Sequence, residues 1–113
     1  MEQNLDAATY GIVMVTTATR EEGEAIAHSI LEAKLAACVS MMPIRSIYTW
    51  QEQVHNEEEW QLFIKTDLAK FETLEAKIRD LHSYEVPEII ALPIVTGSAP
   101  YLAWISAQVS IRV

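Results

Sequence analysis

The sequence is poor in the residue types on which several functions are built. A single cysteine, Cys38, excludes an internal disulfide and any zinc site made of several thiolates. Lys and Arg number 8 against 16 Asp and Glu, a formal charge of -8 that repels phosphate backbones and anionic lipid. Neither nucleic acid nor a membrane is expected as a partner. The longest apolar runs, such as residues 89–95, fall far short of the roughly 20 residues that span a bilayer. There are only three glycines, and no Gly-rich phosphate loop or cofactor signature. Met1 to Asp6 lack the basic start and apolar run of a secretory signal. The expectation is a cytoplasmic chain with residues 1–9 as a flexible extension.

What is present is a chain of 113 residues, half of them hydrophobic, enough for one domain over 1–113 with its own core. Ile12 to Val15 form a short, partly β-branched apolar run that reads as a strand buried on both faces. Thr19 with Glu22 has the form of a capping box, and Ile26, Ile30, Ala33 and Ala37 then recur at helical spacing. Residues 37–51 turn to a β pattern interrupted by Pro43, which points to a bulge or an edge. The polar stretch 51–59 reads as a hairpin tip, with Trp60 to Thr66 as the returning strand. Phe71, Leu74, Ile78 and Leu81 mark a second helix capped by Asp67. Ile89 to Val95 is a buried-type strand with Pro93 at an irregularity or edge. Ser98 and Pro100 open a short helix through Ile105, and Val109 to Val113 alternate like a last strand.

That order predicts an α+β fold, a ferredoxin-like βαββαβ sandwich with a long β hairpin and an extra C-terminal helix and strand. Both helices lie on one face of the antiparallel sheet. The last helix and strand are too little to cover the other face, so pairing with further copies is expected.

The bend His82-Ser83-Tyr84-Glu85-Val86-Pro87-Glu88 is the candidate site. Pro87 removes a donor and drives Val86 extended, which fixes a turn that holds an imidazole, a phenol and two carboxylates in register. Their spacing alone does not name a ligand.

Ala36-Ala37-Cys38-Val39, Tyr48-x-Trp50, Glu59 followed by Phe63-Ile64-Lys65-Thr66, His82-x-Tyr84-Glu85-Val86-Pro87-Glu88-Ile89 and Tyr101-Leu102-x-Trp104-Ile105 together resemble the CutA family of divalent-cation tolerance proteins. The resemblance covers nearly the whole chain. It implies a PII-like homotrimer, joined through the long ribbon and the C-terminal strand, and a role in tolerance to copper and other divalent ions. Three positions depart from the family's pattern. Ser83 stands where proline is usual, Glu52 where many members have glycine, and Val15 where some carry a metal-associated cysteine.

As metal ligands, His82 and Glu85, joined by Glu59 or by groups from another subunit, offer one nitrogen and several oxygens, a set suited to Cu(II) or Zn(II). The structural alternative is that His82 and Glu85 hydrogen-bond across a helix end or a subunit cleft. Tyr84, Trp50 and Trp104 are candidates to stack on a planar ligand, or to serve as interface aromatics. His28 and His55 read as structural or solvated, and Cys38, among small apolar residues, as a buried, inert thiol. No nucleophile is paired with His82, so an enzyme is not expected. The functional expectation is a soluble, divalent-cation-binding or metal-response homotrimer with its ligand cleft between subunits. The alternative is a PII-like small-molecule sensor without a dedicated metal site, and an unidentified protein partner is left open.

Overall fold

A computed structural model describes residues 9–110. Strand β1 (Tyr10–Thr17) leads through helix α1 (Arg20–Glu32) to β2 (Cys38–Trp50), which returns as β3 (Gln53–Asp67). Helix α2 (Phe71–Leu81), strand β4 (Ile89–Pro93) and helix α3 (Ala99–Val109) follow. The antiparallel sheet has the order β2-β3-β1-β4, the ferredoxin-like arrangement expected from the element order.

Alternation along the strands decides what each face carries. Val13 and Val15 of β1 and Leu62 and Ile64 of β3 point to one side, where Ile26 and Ile30 of α1 and Leu74 and Ile78 of α2 meet them in a closed core. Burying each such side chain stabilises the fold by about 1.5–3 kcal/mol. Gly23 lets α1 lie close on the sheet, since a Cβ there would come within 3.0 Å of the Thr17 hydroxyl and 3.1 Å of Leu62. The opposite face carries Ile12, Met14, Met42, Ile90 and Leu92, and among the described residues only α3 crosses it. Ile105 and Val109 of α3 are buried there, and the Tyr10 hydroxyl meets Ser106 Oγ at 2.6 Å. Ile90 and Leu92 on edge strand β4 and Met42 on edge strand β2 remain about half exposed. Among the described residues no helix is long and apolar enough to cross a membrane.

The hairpin differs from the sequence expectation. The polar stretch 51–59 is not a loop: Trp50 pairs with Gln53 across a turn of Gln51 and Glu52, and β3 extends over 15 residues. Polarity here marks a ribbon exposed to solvent, with partners found across the strands. Arg45 donates to Asn56 (2.8 Å) and Glu58 (3.4 Å), and Tyr48 donates to Glu57 (2.6 Å) and stacks on His55. Pro43 causes no break, because β2 is an edge.

Val109, expected to begin a last strand, instead ends α3. It lies four residues after Ile105 on the same buried stripe, and positions 111–113 fall outside the described residues. Positions 1–8 do as well, while Thr9 accepts a hydrogen bond from the Leu68 amide at 2.7 Å. Ser98 sits at the start of α3, but its side chain makes no capping bond there.

Gln51 and Glu52 take φ of 53° and 66°, the left-handed pair that a tight hairpin turn demands and that glycine fills without a Cβ penalty. Replacing Glu52 by the glycine usual in the resembled family, Glu52→Gly, is expected to stabilise the protein by about 1 kcal/mol. The gain is read as a higher midpoint in urea unfolding with an unchanged slope.

Candidate functional site

Thr19 caps α1 by accepting from the Glu22 amide at 3.1 Å, but the Glu22 carboxylate does not turn back to complete the box. It crosses to the bend, where it accepts from the Ser83 amide (2.7 Å) and the Ser83 hydroxyl (3.1 Å). The departure from the family's pattern acquires a physical meaning here, because a proline at 83 would have no amide hydrogen to donate.

His82 ends α2 with an extended backbone and a side chain shut off from solvent. Its Nδ1 accepts from the Tyr84 amide at 3.0 Å, so the ring proton sits on Nε2, which donates to the Thr16 carbonyl at 2.8 Å. The imidazole pins the bend to the end of β1, and its ring lies against that of Tyr84, centroids 4.8 Å apart. Tyr84 in turn donates its hydroxyl to Oε2 of the buried Glu59 at 2.6 Å. Glu59 lies on the open face of the sheet, in register with Ile44.

Between the bend and the ribbon lies a cleft of about 510 Å³. Ser46, Tyr48 and Trp50 come from alternate positions of β2, Glu59 from β3, Thr16 from β1, and Ser83, Tyr84, Glu85, Val86 and Glu88 from the bend. The cleft is acidic and aromatic, with no Lys, Arg or His among its lining residues. Two phenols keep their protons beside carboxylates. The hydrogen bond to Glu57, with smaller contributions from burial and neighbouring charge, pushes Tyr48 up to about 12. Burial first, then the hydrogen bond to Glu59 and its charge, holds Tyr84 well above the usual phenol range.

Of the residues singled out from sequence, Glu59, Tyr84, Glu85 and Trp50 share this cleft. His82 stands behind it with both ring nitrogens engaged. Trp104 lies on α3 against Tyr101, centroids 5.5 Å apart, and does not line the cleft. Among the described residues no group of three or more His, Cys, Asp or Glu is placed to hold a metal ion. His28 is exposed on α1, and His55 lies 3.7 Å from Glu57. Cys38 is only half-buried, with the Lys65 ammonium at 4.0 Å and Ser40 Oγ at 3.9 Å; it faces the open side of the sheet, in register with Lys65, so it is not the enclosed thiol expected. Val15, where some family members carry cysteine, is core.

Sequence reasoning missed Glu22, Tyr48 and Ser46. Period-two spacing from Trp50 was the available signal for the latter pair; Glu22 gave none beyond its capping pattern.

Comparison with known proteins places these features. A family model described as CutA1 divalent ion tolerance protein matches residues 11–108. The chloroplastic protein CutA of Arabidopsis thaliana is 42% identical over 106 residues, covering 93% of this chain and 58% of that protein. The divalent-cation tolerance protein CutA of Thermus thermophilus is 41% identical over 95 residues, covering 83% of this chain and 92% of its own length. Among solved structures, the periplasmic divalent cation tolerance protein CutA from Archaeoglobus fulgidus matches with a TM-score of 0.88 at 36% identity, over 89% of this chain and 99% of that one. These relatives overturn the cytoplasmic placement expected from the N-terminal composition, since proteins this similar are described as chloroplastic and periplasmic. Targeting segments are removed on arrival, so the composition of a chain's first residues does not report its compartment.

Two outcomes are expected from this geometry. Both phenol protons are held more tightly in the folded state, so their stabilisation is complete below about pH 10, the ordinary phenol value, and is lost as pH rises through the raised values. Absorbance titration at alkaline pH is expected to show two tyrosines ionising late, and Glu59→Gln to bring one of them back toward 10. Glu22→Ala is expected to cost about 1 kcal/mol and to speed amide hydrogen exchange at Ser83 and Tyr84.

Proposed function

The chain belongs to the CutA1 divalent ion tolerance family, and on that premise we propose that it works as a homotrimer with a cation-binding cleft at the seam between subunits. The observation that carries the assembly is the open sheet face. Met42, Ile90 and Leu92 leave apolar surface on both edge strands that a second copy can cover. The cleft of Tyr48, Trp50, Glu59, Tyr84 and Glu85 lies on that same side, so a neighbouring subunit packed there closes it.

Binding rather than catalysis is the reading, because the cleft's phenols are tied to carboxylates and no activated nucleophile stands with them. Cu(II) and Zn(II) are the proposed ions, with oxygens from Glu59 and Glu85. Among the described residues of one subunit the donors do not complete a metal site, since His82 would have to surrender a hydrogen bond to Thr16 or Tyr84 before it could ligate. Groups from the neighbouring subunit are the proposed further donors. His82 acts in this reading as a positioning residue for the cleft wall. The incomplete donor set and the aromatic walls favour a second reading, a PII-like sensor of a small molecule.

Native mass spectrometry is expected to give a trimer, and Leu92→Asp with Met42→Asp to drive it toward monomers. A wild-type monomer at micromolar concentration would sink the assembly. Calorimetry with Cu(II) and Zn(II) is expected to show uptake by the wild type and loss in Glu59→Gln; equal uptake by both would remove the cleft as the ion's site.

A further inference from the structure

Resting on the reading of the cleft as the ligand site, we infer that it takes a small organic cation bearing N–H donors, a protonated amine or a guanidinium. Glu59 is only 6% exposed, and among the described residues it makes no ion pair. Its Oε2 accepts the Tyr84 hydroxyl, while Oε1 accepts no hydrogen bond from the described residues. No enclosed side-chain oxygen among those residues lacks a partner, so Oε1 keeps contact with solvent, on the sheet face that Glu59 shares with Tyr48 and Trp50 of the cleft. A nearly buried carboxylate with one free oxygen and no countercharge calls for a cationic donor in front of it.

The walls select the kind of cation. Tyr48, Trp50 and Tyr84 present aromatic surface, and with both phenol protons committed to Glu57 and Glu59 their faces are electron-rich partners for a delocalised or alkyl-borne positive charge. The volume of about 510 Å³ suits a small molecule and far exceeds a bare ion. Glu85 and Glu88, also lining the cleft, repel nucleotides and other anions. A quaternary ammonium would satisfy the rings but leave Glu59 Oε1 without a donor, so the N–H is required.

The test is calorimetry on the full chain in its native assembly with agmatine, tetramethylammonium and ATP, using wild type, Glu59→Gln and Trp50→Leu, each checked for an unchanged melt. Agmatine is expected to bind at least tenfold more tightly than tetramethylammonium, ATP not at all, and each variant to weaken agmatine at least tenfold. Agmatine binding that is undetectable, no better than that of tetramethylammonium, or unaffected by Glu59→Gln overturns the inference. A trimer that takes up Cu(II) or Zn(II) but not agmatine sinks this inference alone. A monomer that still binds agmatine through Glu59 supports it while removing the assembly.

Discussion

A sheet with two apolar faces needs two covers, and residues 9–110 supply one and a fraction. Both long helices lie on the Val13, Val15, Leu62 and Ile64 side, and α3 reaches only part of the other. The remaining greasy surface sits on both edge strands, whose outward backbone groups pair with no other strand among the described residues. Position of the site follows from this imbalance. A pocket cut into the covered face would cost core, whereas one on the open face uses surface already left free by the shortage of helix.

Within that frame the bend after α2 is fixed by side chains reaching back to earlier elements. His82 takes the Thr16 carbonyl, Ser83 gives two hydrogens to Glu22, and Tyr84 gives one to Glu59. Consecutive residues thus bind to β1, α1 and β3, so the bend cannot shift without loosening strands and helix together. Each donor is matched to an acceptor of suitable charge. The imidazole proton is placed by the Tyr84 amide, and the phenol is kept neutral by burial beside a carboxylate.

The helical spacing of α1 and α2 was readable from the chain, because hydrophobic spacing reports directly which face is buried, whereas Ile12 to Val15 read as buried on both faces and only Val13 and Val15 of that run are enclosed. The bend stood out as a candidate site for a similar reason: Pro87 follows the end of a helix where polar side chains gather. The ribbon tip was not legible. Gln51-Glu52 lacks the Asn-Gly signature of its turn, and the polar run after it resembles a loop until its cross-strand partners are known. Nor was the inward turn of His82 readable, since an imidazole looks the same in sequence whether it faces a cleft or a carbonyl. Glu22 was hidden by its success as a capping-box residue, a local pattern that concealed a contact 61 positions away.

Where a proline ring would stiffen the bend by itself, Ser83 leaves the task to a carboxylate on another element. Such hydrogen bonds can open locally, whereas a covalent ring cannot. Rigidity at this corner is therefore borrowed from α1, and fraying at the start of that helix can slacken the wall of the cleft without any ligand entering it.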